Sequence, residues 1–114
     1  ATPSPAIARN RDAMTDQTNH IEKLTEERLS EGLAALPEWS QNGDSIQRTF
    51  SFDDFIKAMG FVNAVAEKAE SVQHHPDILV RYNKVTLTLS THDAGGLSEK
   101  DLAFATDCDA LAAV

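Results

Sequence analysis

The sequence predicts a two-layer α+β domain, a four-stranded antiparallel sheet with helices on one face, in the order α-β-β-α-β-β-α. Three observations carry that expectation. Apolar residues repeat at helical spacing in three separate stretches, Val85, Leu87 and Leu89 alternate with polar neighbours as in a strand, and turn-forming clusters fold the strands into hairpin pairs. Paired strands favour an antiparallel sheet, and one-sided helices need one sheet face to bury against. Four strands leave two open edges, a route to edge-to-edge dimerisation.

The first helix is expected over residues 26–35, with Thr25 as N-cap and Leu24 and Leu29 at the spacing of a hydrophobic staple. Leu29, Leu33 and Leu36 form its apolar stripe, and Pro37 stops it. Residues 38–41 and 45–51 then flank Asn42-Gly43-Asp44 as a hairpin. A longer helix follows over residues 53–71. Ser51 and Asp54 resemble its capping box, and Phe55, Met59, Val62, Ala66 and Ala69 are its expected buried face. Residues 78–82 are expected to pair with the strand from Val85, turning at Asn83-Lys84. Gly95-Gly96 ends that region, and Ser98 caps a last helix carrying Leu102, Phe104, Ala105, Cys108 and Leu111.

With 114 residues there is room for one domain, expected over residues 21–114. Residues 1–20 show no apolar periodicity and are set outside the fold, as a disordered tail, a targeting remnant, or sequence added ahead of Met14. The 41% hydrophobic and 25% charged fractions fit a globular domain expected in the cytoplasm. A net charge of −8 with scattered Lys and Arg argues against direct nucleic-acid binding. No apolar run is long enough to span a bilayer, so no membrane partner is expected. Cys108 is the single cysteine, which excludes an intrachain disulfide and suits a reducing compartment.

Chemistry points to the histidines. His74 and His75 follow the long helix, with Pro76 stiffening the backbone behind them, and His92 lies just past the strongest strand. A hairpin between the two would bring its outer ends, and so all three imidazoles, side by side. Imidazole both donates and accepts protons near neutrality. Three surface histidines without function are the alternative, and His20 is read that way. Zinc is disfavoured, because no His-x-x-x-His pair lies on a helix and the cysteine is remote. Glu70, four residues before His74, either orients an imidazole or belongs to a solvated charged run. Asp101 is accounted for by a Ser-x-x-Asp cap with Ser98. Tyr82 either lines a pocket or fills a strand position, and Trp39 either stacks on a flat ligand or fills space beneath the first helix.

Glu70-x-x-x-His74-His75-Pro76, followed by Tyr82, His92 and Asp101 at fixed spacings, resembles the signature of the pterin-4a-carbinolamine dehydratases. The flanking Arg81-Tyr82-Asn83-Lys84-Val85 and the run from Ser90 to Ser98 agree, as does Pro37-Glu38-Trp39. Gln73 departs from the pattern, since many relatives carry Asp there. The resemblance implies a four-stranded α+β fold that assembles as dimers or tetramers. It implies loss of the 4a-hydroxyl from 4a-hydroxytetrahydropterin, giving quinonoid dihydropterin and water, with no metal or organic cofactor. By the same resemblance His74 and His92 are acid catalysts, His75 holds the pterin and Glu70 supports the histidine charge. Backbone groups of His74, His75 and Pro76 and of Thr91, His92, Asp93 and Ala94 would bind the pterin's amide-like edge, and Trp39 would border the pocket. Some relatives instead act as dimerisation or assembly partners, so a binding role through an exposed face of the long helix is the alternative.

Overall fold

The computed structural model describes residues 21–113. The segment over residues 1–20, expected to be a tail, lies outside the described residues. Helix α1 (Glu26–Ala34) starts on the Thr25 cap, whose hydroxyl accepts from the Arg28 N–H. Its neighbours Leu24, Leu29 and Leu33 pack half-buried against the core, and Leu36 is buried within it. Strand β1 (Ser40–Asn42) is shorter than expected. The backbone before it is still turning, with the Trp39 N–H donating to the Leu36 carbonyl. Gly43, at φ 61°, supplies the left-handed residue that lets β2 (Ser45–Ser51) fold back on β1.

The long helix α2 (Phe55–Val72) begins two residues later than expected, capped by Asp54, whose carboxylate accepts from the Lys57 N–H at 2.8 Å. Ser51 is still in the sheet, paired with Lys84, and is therefore unavailable as a cap. The buried face is also rotated by about one residue. Ala58, Phe61, Val65 and Ala69 are buried, whereas Phe55 is 46% exposed. Small side chains at Ala58 and Ala69 let the helix lie close to the sheet, while Phe55 and Ile56 at its start are turned outward.

Strands β3 (Asp77–Arg81) and β4 (Lys84–Leu89) form the second hairpin. Its turn falls at Tyr82-Asn83, one residue earlier than expected, because Arg81 pairs with Lys84. Tyr82 takes the left-handed conformation at φ 54°. Asn83 compensates by pairing with Phe52 through two hydrogen bonds: its carbonyl accepts from the Phe52 N–H, and its side-chain amide donates to the Phe52 carbonyl. All pairings are antiparallel, as the sequence predicts for the fold class, and the strands lie in the order β1-β2-β4-β3.

One sheet face carries Ile46, Phe50, Val85, Leu87 and Leu89, all buried. Helix α3 (Glu99–Ala112) lies over that side with α2 and contributes Leu102, Phe104, Ala105 and Cys108. The ring of Phe50 meets those of Phe61 at 4.7 Å and Trp39 at 6.0 Å, an aromatic centre to the core. The other face is open, with Thr49, Leu79 and Thr86 in register across three strands.

Candidate active site

Both histidine-bearing loops leave the same end of the β3–β4 hairpin, because Asp77 at the start of β3 pairs with Thr88 near the end of β4. The first loop is formed by a sharp stop to α2. Gln73 adopts a left-handed C-cap at φ 54°, and the His74 N–H turns back to the Ala69 carbonyl. His74 therefore points inward and is only 9% exposed. The second loop is a single 3₁₀ turn, His92–Ala94, closed by Gly95 at φ 74° and by the Thr91–Gly96 bridge. Thr91 is buried under it, while His92 and Asp93 face solvent and Ala94 is half-buried.

The two loops meet at Asp101. This carboxylate is fully buried in the first turn of α3. One oxygen, Oδ1, lies 2.7 Å from His74 Nε2. The other, Oδ2, accepts from the Thr91 hydroxyl at 2.8 Å and the Ser98 N–H at 2.9 Å. The Ser98–Asp101 cap expected from the sequence is present, but it does not account for the whole residue. The cap occupies one oxygen and leaves the other for His74, and the spacing alone held no sign of that second partner. Beside His74 a cavity of about 160 Å³ opens, walled by Val72, Ala103 and Phe104 with Lys100 and Asp107 at its edge. The Phe104 ring meets the imidazole edge-on at 6.0 Å.

His75 points outward, exposed, with Nε2 2.6 Å from Glu70 Oε2. Glu70 thus orients an imidazole as one reading anticipated, and the imidazole is that of His75. Pro76 is half-buried and leads into β3. Trp39 is placed away from this cluster. Its indole N–H donates to Asp109 Oδ1 at 2.9 Å, and Arg48 reaches the same oxygen at 2.7 Å. Asp109 stands two turns along α3 from Asp101, about 12 Å of helix. Trp39 fills space in the core at that end. Tyr82 sits at its hairpin turn, 67% exposed.

Cys108 is buried one turn beyond Phe104, and burial, with Asp109 and Asp107 nearby, pushes its thiol up to about 12. At neutral pH it stays a thiol and offers no nucleophile. Among the described residues, no three His, Cys, Asp or Glu side chains converge as a metal site requires.

The family model for pterin 4 alpha carbinolamine dehydratase matches residues 22–111. The chain belongs to this family. A relative from Acidobacterium capsulatum that carries the dehydratase's name is 52% identical over 89 residues, spanning 78% of this chain and 97% of that one. One from Picosynechococcus, similarly named, is 49% identical over the same shares. Among solved structures, a Brucella melitensis protein described as a transcriptional coactivator/pterin dehydratase superposes with a TM-score of 0.77 at 39% identity, covering 80% of this chain and 99% of that one. A pterin dehydratase-like protein described as a RuBisCO assembly factor of the α-carboxysome matches with a TM-score of 0.56 at 27% identity, covering 65% and 86%. The proteins that this chain resembles are therefore described in catalytic and in non-catalytic words.

Proposed function

We propose that this protein dehydrates 4a-hydroxytetrahydropterin to quinonoid dihydropterin, recycling a tetrahydrobiopterin-type cofactor by histidine acid–base catalysis. The observation that carries this reading is the meeting of the two histidine loops at the buried Asp101 carboxylate. In the reaction the bond from C4a to its hydroxyl breaks, and the oxygen takes a proton from an acid and leaves as water. The adjacent ring nitrogen gives up its proton to a base, and its electron pair forms the new double bond to C4a. His74 and His92 are the residues for these transfers, since imidazole suits both directions near neutral pH. His75, steadied by Glu70, holds the pterin from the solvent side. Backbone groups of His74, His75 and Pro76 and of Thr91, His92, Asp93 and Ala94 face the ring's amide-like edge. The chemistry needs no metal and no organic cofactor.

A direct assay with enzymatically generated carbinolamine tests the reading. His74→Ala and His92→Ala should each lower kcat, by up to the hundredfold or so that general acid–base groups contribute. His75→Ala should chiefly raise KM, the pattern of lost uniform binding. Full turnover in the His74/His92 double variant would remove the acid–base assignment.

A second reading is favoured by a different observation. Phe55 and Ile56 on α2 are 46% and 77% exposed, and one structural relative is described as an assembly factor. A protein kept for that surface would bind a partner and fail the carbinolamine assay. In either reading we infer a homodimer or homotetramer, supported by this apolar flank and by two sheet edges that no strand pairs among the described residues. A cytoplasmic location fits the single reduced cysteine, and no described helix is long and apolar enough to cross a membrane.

A further inference from the structure

The hydrogen bonds around Asp101 have a direction that the dehydratase reading does not use. Two of the donors are backbone amides and can only donate: the Lys100 N–H to Ser98 Oγ at 3.2 Å, and the Ser98 N–H to Asp101 Oδ2 at 2.9 Å. Thr91 has one hydroxyl proton, directed to Asp101 Oδ2 at 2.8 Å. The 2.6 Å contact between Thr91 Oγ1 and Ser98 Oγ must then be made by the Ser98 proton. The chain runs one way, from Lys100 N–H through Ser98 and Thr91 to the carboxylate. Thr91, Ser98 and Asp101 are 4%, 1% and 0% exposed, so water is poorly placed to replace any link. With Oδ2 filled by two donors, Oδ1 is left as an acceptor for His74 Nε2 at 2.7 Å. Among the described residues, His74 Nδ1 has no hydrogen-bond partner.

We propose that Thr91 is a positioning residue for His74. Acting through Asp101, its hydroxyl holds the imidazole as the Nε2–H tautomer and leaves Nδ1 as the nitrogen presented to substrate. Because Thr91 also begins the turn that carries His92, the same hydroxyl fixes the His92 loop against the His74 loop. The tautomer assignment stands on hydrogen-bond geometry alone, and only its kinetic consequence rests on the dehydratase reading.

The test uses the full chain labelled with ¹⁵N in its histidines, at a pH where the imidazoles are neutral. Long-range ¹H–¹⁵N spectra distinguish a protonated ring nitrogen from a bare one. In the parent protein His74 should show Nε2 protonated and Nδ1 bare. Asp101→Asn keeps the shape but offers one oxygen and one NH₂ group. The two donors at the Oδ2 position claim the oxygen, the NH₂ group faces His74, and the ring should switch to the Nδ1–H tautomer. Thr91→Val frees the Asp101 carboxylate to turn away from His74, so it should give a mixture of tautomers and lower kcat roughly tenfold, as expected for a lost hydrogen bond to a charged group. KM should change little, and Thr91→Ser should restore both the pattern and most of the rate. An Asp101→Asn protein that keeps the parent tautomer overturns the proposal, and so does a Thr91→Val protein that keeps both parent tautomer and parent turnover. Should Thr91→Val not fold, the Asp101→Asn spectrum decides alone. A parent protein that turns over no carbinolamine would defeat the dehydratase reading, and the spectra would still decide the role of Thr91.

Discussion

Asp101 joins helix start, loop closure and histidine orientation in one carboxylate, so its removal should exceed the cost of a lost cap. A capping residue replaced by Ala costs about 0.5–2 kcal/mol. Here the deletion also leaves the His74 ring, the Thr91 hydroxyl and the Ser98 N–H without their buried partner. Asp101→Ala should therefore destabilise by more than about 3 kcal/mol, measured by urea denaturation, since each stranded buried group adds its own desolvation cost. A loss within the cap range would show that the His74 contact contributes nothing to stability. Cys108 supplies a prediction about pH. Burial raises its thiol from 9.0 to about 12 in the fold, so the unfolded chain loses this proton first as pH rises. Its contribution is complete below pH 9 and is lost between there and pH 12. Cys108→Ala should flatten the alkaline fall in stability over that window relative to the parent, followed by denaturation at successive pH values. At this scale the sequence was legible where a residue has one task. The histidines stood out by their spacing, but Asp101 was hidden because its helix cap was a sufficient account, and Trp39 because its Asp109 partner lies 70 residues away.

Helix ends and helix contacts decide how the elements sit. Gln73 stops α2 in a conformation that glycine adopts without steric cost, at φ 54° and ψ 47°. Its amide reaches back to the Glu70 carbonyl, an interaction at an exposed position. Gln73→Gly should raise stability by up to about 1 kcal/mol while leaving the α2 stop in place, read as a higher denaturation midpoint at unchanged slope. Gly32 is the opposite case. A β-carbon there would come within 2.4 Å of the Leu102 side chain, so its absence is what lets α1 lie against α3. Gly32→Ala should lower stability by roughly 1–3 kcal/mol through overpacking, measured by the same denaturation. Element type and order could be read from the sequence because period and turn chemistry agree in each stretch. Boundaries and faces were less legible. The capping box at Ser51 failed because Ser51 pairs with Lys84, a contact across 33 residues that no local pattern encodes. Of the expected stripe of α2 Ala69 is buried, but Phe55 and Ala66 are exposed while Ala58, Phe61 and Val65 are buried. An alanine such as Ala58 carries little hydrophobic signal but gives the close approach that the sheet requires.

The whole molecule divides its surfaces sharply. Among the described residues, three helices cover one face of the sheet, and no element covers the opposite face or either edge. On the helical side the rotation of α2 that buries Ala58 and Val65 turns Phe55 and Ile56 outward, and a shallow groove lined by Phe52, Phe61 and Leu111 opens on the same side. On the sheet side, Leu79 is 55% exposed at an edge strand. Either surface can bring two copies together, and the net charge of −8 opposes association unless apolar burial exceeds the repulsion. Changing one residue on each surface separates them. Ile56→Glu places a charge in the α2 flank, and Leu79→Lys places one on the edge strand, the device by which natural sheets prevent edge pairing. Neither residue belongs to the histidine cluster, so circular dichroism should report an unchanged fold. If α2 carries the association, Ile56→Glu should reduce the mass seen by multi-angle light scattering and Leu79→Lys should not; if the edge carries it, the pattern reverses. A tetramer built from both surfaces should fall to a dimer with either change and to a monomer with both. A parent chain that is already monomeric at tens of micromolar, with both variants the same, would refute the assembly inferred from these exposed groups.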